Sequence, residues 1–554
     1  MTENPQAGTH EREGHGGEQV VAVALDYGVD TLFTLSGAHV FPVYDGAVTA
    51  PEPLRLLDVR HEQTAVFAAE GLAKLTRRPG LAVVTAGPGV TNTVSAVTTA
   101  HFNGSPVVVL GGRAPAWRWG TGSLQEMDHV PLLAPVTRHA ATVTEPDAVG
   151  AGVRAAFEAA TTPHRGPAFV DVPMDVLFTR GQIDTTPQPP APPTASEPDG
   201  GALEAAVTAL RAAHHPVLVL GSDVWTGGAD VAAREVAEQL GLPVITNGMG
   251  RGVLPAGHPQ LVTRARSKAF KEADVVVVVG TPLDFRLGYG AFLGGAAVVH
   301  VVDAADQLAG HVELAAGLAG DLTTSLRELG RRLDGGLRPE VPAWTAELRE
   351  AARSAVDADA DVLASDADPV HPARIYGELN RRLADDAVVV GDGGDFVSFA
   401  GRFVEPRTPG GWMDPGPFGC LGTGPGYAIA ARLARPSSQV VLLLGDGAAG
   451  FSLMDVDTMV RHRLPVVMVV GNNGVWGLEK HPMNFLYGYD VVADLAPQTR
   501  YDQVVRSLGG DGELVTRPEE IGPALDRAFA SGVPYLVNVI TDPAVAYPRS
   551  TTGI

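Results

Sequence analysis

Two side chains that carry oxygen ligands, Asp446 and Asn473, each follow a short apolar run in the last third of the sequence. The runs, residues 440–444 and 464–470, are uncharged and rich in β-branched residues, which is typical of buried strands in a parallel sheet. The segment between them, residues 451–462, has apolar residues at helical spacing, so the sequence predicts a strand–helix–strand crossover. That crossover would bring both side chains to one edge of a sheet, beside flanking glycines that admit a ligand closely. This donor set suits a magnesium ion bound to a diphosphate group.

A second group of candidate residues lies in the first third of the chain. Glu62 follows a predicted strand at 55–59 and begins a predicted helix at 63–74, and the triplet Gly87-Pro88-Gly89 follows the next predicted strand. Taken alone, the glutamate is also consistent with a helix-dipole partner and the triplet with a tight turn. Their function can therefore be interpreted only together with the other motifs of the chain.

Composition excludes several classes of protein. The chain has 554 residues and a formal net charge of −22, which argues against nucleic acid or an anionic membrane as a partner. A single cysteine, Cys420, excludes an intramolecular disulfide framework and a multi-cysteine metal site. Residues 1–17 are polar, and no stretch reaches 18 apolar residues, so we expect a cytoplasmic protein.

Strand and helix patterns alternate along most of the chain, which predicts the α/β class with three consecutive doubly wound parallel-sheet domains. We place these domains at residues 17–182, 201–332 and 371–541. The proline-rich segment 184–200 and the acidic segment 334–368 are expected to be linkers, the second of them partly helical. The middle domain has no clean G-x-G-x-x-G fingerprint, although Asp303 and Asp321 could bind a ribose.

The motifs together resemble the thiamine diphosphate enzymes of the acetolactate synthase superfamily. Gly445-Asp446-Gly447 followed by Asn472-Asn473 is similar to the cofactor signature of that family, and Glu62 and Gly87-Pro88-Gly89 occupy the matching places upstream. The same Gly-Asp-Gly letters recur at 391–393 without a matching asparagine pair. Segments 122–128 and 169–173 are similar to acetolactate synthases and 2-hydroxyacyl-CoA lyases, and segment 476–482 resembles actinobacterial proteins labelled acetolactate synthase.

The resemblance covers nearly the whole chain and implies a pyrimidine-binding domain, a central nucleotide-type domain and a diphosphate-binding domain. It implies that Glu62 acts on the aminopyrimidine ring of thiamine diphosphate and that Leu421 supports the folded cofactor. It also implies a magnesium ion held by Asp446, Asn473 and the carbonyl of Val475. The family's active site lies at a subunit interface, so a homodimer or homotetramer is expected. The cofactor-binding residues implied in this way are Gly37, Gly87, Gly89, Gly393, Gly394, Leu421, Gly445, Asp446, Gly447, Ala448, Asn473 and Val475.

Two substrate classes stay open at this stage. Arg286 resembles an arginine of acetolactate synthases and would hold the carboxylate of a 2-oxo acid such as pyruvate. Arg264, Arg266 and Lys268 form a basic segment that would instead receive the phosphates of CoA, as in a 2-hydroxyacyl-CoA lyase or oxalyl-CoA decarboxylase-like enzyme that releases formyl-CoA; a solvated helix face explains the same charges. Further candidates for substrate contact are His101, Gln125 and Glu479.

Two further alternatives concern the central domain and catalysis itself. The central domain is left open as a site for FAD, for ADP or CoA, or for no ligand. A non-catalytic paralogue is disfavoured, because Glu62, Asp446 and Asn473 are all retained.

Overall fold

The structure is a computed structural model that describes residues 11–191, 196–292 and 295–547. The chain forms two compact units, Met1–Pro193 and Thr194–Ile554. The first unit contains one large parallel sheet, and the second contains two. The prediction of three parallel-sheet α/β domains is thereby confirmed.

The first unit is built around a six-stranded parallel sheet with the strand order β3-β2-β4-β5-β7-β6. A separate antiparallel pair, β1 with β8, joins the two ends of the unit. This pair lies partly outside residues 17–182. The strands are β1 (Glu11–His15), β2 (Thr31–Thr34), β3 (Arg55–Asp58), β4 (Gly80–Val84), β5 (Val107–Arg113), β6 (His139–Thr142), β7 (Ala168–Pro173) and β8 (Arg180–Asp184).

Helices cover the sheet of the first unit and bury its apolar strands, since β4 is buried along its whole length. The core includes Leu32, Leu81, Val108 and Phe157, all fully buried. The helices are α1 (Gly16–Asp26), α2 (Phe41–Thr49), α3 (Glu62–Thr76), α4 (Pro88–Thr91), α5 (Val94–Phe102), α6 (Val130–Leu133), α7 (Val149–Thr161) and α8 (Met174–Phe178).

The first sheet of the second unit has five parallel strands in the order β10-β9-β11-β12-β13. Its central strand β11 is a run of valines buried on both faces, which is the composition expected between two helical layers. The strands are β9 (Pro216–Leu220), β10 (Val244–Thr246), β11 (Val275–Val279), β12 (Ala297–Val302) and β13 (Leu314–Ala319). The helices are α9 (Gly200–Ala212), α10 (Ser222–Thr226), α11 (Asp230–Leu240), α12 (Arg266–Glu272), α13 (Leu322–Arg332) and α14 (Val341–Asp357). The short helix α15 (Ala360–Leu363) follows, and its Leu363 packs against the core of the second sheet of this unit.

The segment 334–368, predicted as a partly helical linker, is largely helical. Its main helix, α14, buries Trp344 and Leu348 in the core of the five-stranded sheet. The indole N–H of Trp344 donates a hydrogen bond to the carbonyl of Pro216 over 3.2 Å. The acidic residues occupy the outer face of an amphipathic helix, so composition alone concealed the packed face.

The second sheet of this unit has six parallel strands in the order β15-β14-β16-β17-β19-β18. The strands are β14 (Val388–Asp392), β15 (Trp412–Met413), β16 (Val440–Gly445), β17 (Val467–Asn472), β18 (Asp511–Val515) and β19 (Tyr535–Ile540). The helices are α16 (Ala373–Asn380), α17 (Asp395–Phe403), α18 (Gly424–Ala434), α19 (Asp446–Ser452), α20 (Val456–Arg461), α21 (Gly477–Tyr487), α22 (Tyr501–Ser507) and α23 (Pro518–Ala530).

The predicted crossover between β16 and β17 exists, but its helix differs from the prediction. The single helix expected at 451–462 is instead α19, a 3₁₀ turn at Leu453–Asp455 and α20. Helix α19 begins at Asp446 itself, directly after the strand, so Asp446 lies at a helix start. In the part of the chain that the structure describes, no helix is long and apolar enough to cross a membrane.

Candidate active site

Asp446 and Asn473 lie in the wall of one cavity of about 430 Å³ in the second unit. Strands β16 and β17 are parallel neighbours, and their register pairs Gly445 with Gly471. The residues that follow the two strands therefore leave the sheet side by side. Val475, the third expected metal ligand, lines the same cavity.

Asp446 is a buried carboxylate with an exposed fraction of 4%. Its Oδ2 accepts a hydrogen bond from the backbone N–H of Gly474 over 2.7 Å, and its Oδ1 accepts one from Gly447 over 2.9 Å. Burial raises its pKa to about 6 despite these bonds. Among the described residues no lysine, arginine or histidine forms an ion pair with it. A divalent cation would supply the missing positive charge, so the donor set fits magnesium.

The two asparagines of the pair have different surroundings. Asn473 lines the cavity, and its Oδ1 accepts a hydrogen bond from the N–H of Val475 over 3.1 Å. Asn472 is 1% exposed and points into the protein, where its Nδ2 donates to the carbonyl of Thr499 over 2.9 Å and to Oδ1 of Asn538 over 3.1 Å. Asn473 is thus placed to bind a ligand, and Asn472 supports the strand.

The remaining cofactor residues predicted in the second unit share this cavity. Its wall includes Gly393, Gly394, Leu421, Gly445, Gly447 and Ala448. A Cβ atom on Gly447 would lie 2.4 Å from the indole ring of Trp476, so this position requires glycine. The small residues let the backbone form the floor of the cavity, which suits a diphosphate group.

Arg286 and Glu479 line the same cavity. The guanidinium of Arg286 is held by Asp284, which accepts hydrogen bonds from Nε over 3.0 Å and from Nη2 over 2.7 Å. This pairing fixes the plane of the guanidinium and takes up one of its edges. Nη1 makes no hydrogen bond to any described residue, and this edge can bind a carboxylate.

The first unit holds the other predicted group, Glu62. Helix α3 begins at this residue. His61 caps the helix, because its side chain accepts a hydrogen bond from the N–H of Gln63 over 3.2 Å. Glu62 is 7% exposed, and its Oε2 accepts a hydrogen bond from Nδ2 of Asn92 over 2.9 Å. The carboxylate is therefore buried and oriented by a neutral donor. Both features suit a group that shares a proton with a ligand.

The comparison with protein families matches three models to this chain. Residues 14–132 match the N-terminal TPP binding domain of thiamine pyrophosphate enzymes, residues 203–329 match the central domain, and residues 392–539 match the C-terminal TPP binding domain. The chain belongs to the thiamine pyrophosphate enzyme family. It is therefore a thiamine diphosphate-dependent enzyme, of the type that forms or cleaves carbon–carbon bonds.

Full-length relatives agree with this family assignment. The enzyme is 53% identical over 540 residues to the acetolactate synthase large subunit of Mycobacterium tuberculosis and to a probable acetolactate synthase of Mycobacterium bovis, in each case covering 97% of both chains. It is 35% identical over 574 residues to human 2-hydroxyacyl-CoA lyase 2, covering 95% of this chain and 90% of the relative.

The glycines predicted in the first unit of this thiamine diphosphate enzyme surround one residue that the sequence analysis missed, Thr85. A Cβ atom on Gly37 would lie 2.3 Å from Cβ of Thr85, and one on Gly89 would lie 2.7 Å from its Cγ2. The hydroxyl of Thr85 hydrogen-bonds Oε1 of Gln125 over 3.4 Å and Nδ1 of His39 over 2.9 Å. A threonine directly after a strand carries no motif, so only its position reveals it.

The Gly87 loop is held by a buried pair that the sequence also concealed. Gly87 has a φ of 57° and donates its N–H to Nε2 of His129 over 3.0 Å. The other ring nitrogen of His129 contacts Oδ2 of Asp171 at 2.8 Å. Because Nε2 accepts, the ring proton lies on Nδ1 and is donated to Asp171. His129 and Asp171 are separated by 42 residues, and therefore no local pattern connects them.

His101 does not join the Thr85 cluster. It lies at the end of α5, where its ring packs against Phe102 at a centroid distance of 5.5 Å. Burial lowers its pKa, and the charges of Arg138 and His164 lower it further. The structure thus gives His101 a position inside the first unit, beside other basic groups.

The basic segment predicted for CoA is already engaged within the protein. Arg264 pairs with Asp359, and Lys268 pairs with Glu272 at 2.8 Å and Glu347 at 2.9 Å. Arg266 donates a hydrogen bond to the carbonyl of Arg286, and burial lowers its pKa to about 10. The role of these side chains in binding CoA stays a prediction, and they would have to leave their present partners to bind phosphates. Asp359 and Glu347 lie far along the chain, whereas Glu272 lies on the same helix as Lys268.

Proposed function

We propose that this enzyme decarboxylates a 2-oxo acid such as pyruvate and joins the remaining two-carbon unit to a second carbonyl compound, with acetolactate as the product. The observation that carries the proposal is the position of Arg286 in the same cavity as Asp446 and Asn473. A fixed guanidinium there would hold the carboxylate of a small acid near the cofactor. The mycobacterial relatives that are 53% identical carry the same activity in their names.

The roles proposed for the residues come from the family resemblance, and their positions support them. Asp446, Asn473 and the carbonyl of Val475 would hold magnesium, whose charge would offset that of the diphosphate group. Thiamine diphosphate, when bound, supplies an acidic C2–H whose conjugate base adds to carbonyl carbons. Glu62 would hold a proton at the aminopyrimidine ring and favour loss of that C2 proton. Leu421 would support the cofactor in its folded shape.

We infer that a second copy of the chain completes the site. Glu62 belongs to the first unit, whereas the proposed metal ligands belong to the second. In the family that this chain resembles, the two groups meet across a subunit interface. A homodimer is the smallest assembly that satisfies this arrangement, and a homotetramer contains it twice.

A 2-hydroxyacyl-CoA lyase is the second candidate, favoured by the 35% identity to the human relative. The internal pairing of Arg264 and Lys268 weighs against it, since these side chains would have to leave their carboxylate partners to bind phosphates.

The only support for an FAD, ADP or CoA site in the central domain is the parallel sheet of that domain. One of its candidate ribose ligands, Asp321, already accepts hydrogen bonds from Thr324 over 2.7 Å. A visible spectrum of the purified protein tests for flavin directly.

The deciding experiment offers pyruvate and a 2-hydroxyacyl-CoA to the purified enzyme side by side, with magnesium and thiamine diphosphate present. Acetolactate formation supports the proposal, and formyl-CoA without acetolactate would replace it with the lyase. Arg286→Ala should then raise KM for pyruvate by about 10-fold to 100-fold, because a charge-assisted pair is lost. Lys268→Ala is the matched control and should leave that KM unchanged. An acyl-CoA substrate would reverse this pattern.

A further inference from the structure

Asp392, the central residue of the second Gly-Asp-Gly sequence at 391–393, has no role in the proposed mechanism, yet it is a fully buried carboxylate. Asp392 ends strand β14 and has an exposed fraction of 0%. Among the described residues no cationic side chain pairs with it, and burial raises its pKa to about 7. Isolated buried carboxylates are costly, so their retention calls for a specific set of hydrogen bonds.

Those hydrogen bonds come from the loop that carries Leu421. Gly422 donates its N–H to Oδ1 of Asp392 over 3.1 Å, and Gly424 donates to Oδ2 over 2.8 Å. Two donors aimed at two separate oxygens need a carboxylate, since an asparagine at this place would offer only one acceptor. A Cβ atom on Gly424 would lie 2.8 Å from Cβ of Asp392, so the loop and the strand end are in close contact.

The carbonyl of Gly422 is also held. The hydroxyl of Ser452 donates to this carbonyl over 2.9 Å, and Ser452 is 5% exposed. Ser452 is the last residue of α19, the helix that begins at Asp446. Both backbone polar groups of Gly422 are thus fixed, the N–H by the end of β14 and the C=O by the helix that carries the proposed metal ligand.

Leu421 immediately precedes Gly422 and lines the cavity together with Asp446. Gly422 has a φ of 90°, a conformation that other residues rarely adopt, so the direction of the Leu421 side chain depends on the turn at Gly422. We propose that Asp392 and Ser452 are positioning residues that clamp Gly422 from its N–H and C=O sides and thereby set the place of Leu421 relative to Asp446. This inference rests on the role given to Leu421 under the proposed function.

The clamp links two tasks that are otherwise separate. Asp446 would help to hold the diphosphate end of the cofactor, and Leu421 would support its folded shape. Because Ser452 connects α19 to the Leu421 loop, displacement of the helix would shift that support. Loss of the clamp should therefore impair the folded shape of the cofactor more than its retention.

The test compares Asp392→Asn, Ser452→Ala and Leu421→Ala in the full-length protein. The rate of C2-proton exchange of bound thiamine diphosphate reports the folded shape, and calorimetry reports cofactor affinity. We expect Asp392→Asn to slow exchange on the order of 10-fold to 100-fold while affinity changes less than about threefold. Ser452→Ala should show a smaller loss of the same kind. A third measurement, amide hydrogen exchange of the loop in cofactor-free protein, should show faster exchange at Gly422 and Gly424.

A double variant separates positioning from general stability. If Asp392 acts through Leu421, then adding Asp392→Asn to Leu421→Ala should slow C2 exchange little further. Glu378→Gln is the control: Glu378 is a buried carboxylate of the same domain that pairs with Arg374 and Arg382 and does not line the cavity. It should lower Tm without slowing C2 exchange.

Additive effects of Asp392→Asn and Leu421→Ala, or equal slowing by Glu378→Gln at equal loss of Tm, would overturn the clamp. If Asp392→Asn does not fold, Ser452→Ala and the loop amide exchange decide alone, and unchanged values in both reject the proposal. C2 exchange precedes any substrate, so an enzyme that fails to use 2-oxo acids would refute the proposed function and leave this measurement intact.

Discussion

Asn92 donates a hydrogen bond from Nδ2 to Oε2 of Glu62 over 2.9 Å. The donor is neutral, so it orients the carboxylate without neutralising its charge. Asn92 follows α4, the short helix that opens with the Gly87 loop, whereas Glu62 begins α3. The contact therefore ties the proposed proton-relay group to the loop that is expected to meet the aminopyrimidine ring.

Glu62→Gln should keep the fold and the affinity for thiamine diphosphate, because the amide oxygen can still accept from Asn92. C2-proton exchange of the bound cofactor should slow by about 10²-fold to 10⁴-fold, the usual worth of a general acid–base group. Asn92→Ala should cause a smaller loss, on the order of 10-fold, since the carboxylate remains but is less well oriented. Wild-type exchange in Glu62→Gln would show that Glu62 serves only as a helix-dipole partner.

The asparagine pair gives a matched comparison. Asn473→Ala should weaken magnesium-dependent cofactor binding, measured by calorimetry, because a proposed metal ligand is lost. Asn472→Ala should instead cost about 1–3 kcal/mol of unfolding free energy, since it removes the donor to the buried Oδ1 of Asn538 and one of the two donors to the carbonyl of Thr499. The reverse outcome, with affinity lost only in Asn472→Ala, would mean that the ligand has been assigned to the wrong residue.

Magnesium-dependent binding should depend on pH through Asp446. Its pKa is raised to about 6 by burial, so below pH 6 a proton occupies the carboxylate that the metal needs. Apparent magnesium affinity should therefore fall by up to about tenfold per pH unit below 6 and level off above about 7. The side chain in Asp446→Asn cannot ionise, so this variant serves as the control. Any pH dependence that it retains comes from protonation of the diphosphate group and is subtracted from that of the wild type. A slope of the same size in this variant would contradict the assignment.

Subunit mixing tests the shared active site. Glu62→Gln and Asp446→Ala should each be inactive alone. Co-expressed in equal amounts, half of the dimers are mixed, and each mixed dimer has one intact site if Glu62 serves the partner's cavity. Recovery of about a quarter of normal activity is then expected. No recovery, with mixed dimers verified by two affinity tags, would show that each chain supplies its own Glu62.

The sequence was most informative where residues with ligand side chains directly follow consecutive predicted strands. The positions of Asp446 and Asn473 beside one cavity could be predicted, since consecutive parallel strands end at the same sheet edge. Thr85, Asn92 and His129 could not be predicted, because their significance lies in contacts between segments that are distant along the chain.

Charge was a poorer guide than strand order. The ion pairs of Arg264 with Asp359 and of Lys268 with Glu347 were not predicted, because these acidic partners lie more than 70 residues away, whereas Glu272, the other partner of Lys268, lies on the same helix. The break between α19 and α20 was also missed. Apolar spacing alone does not distinguish one continuous helix from two helices joined by a 3₁₀ turn.

Helix α14 decides where this protein can be divided into fragments. A central-domain fragment that stops at residue 332 would lack Trp344 and Leu348 and would expose the valine-rich sheet that they cover. Leu363, in the short helix that follows α14, instead packs against the core of the last sheet. A cut directly after Asp357 keeps each apolar side chain with its own sheet, so recombination between relatives that respects packing would exchange the central domain at that point.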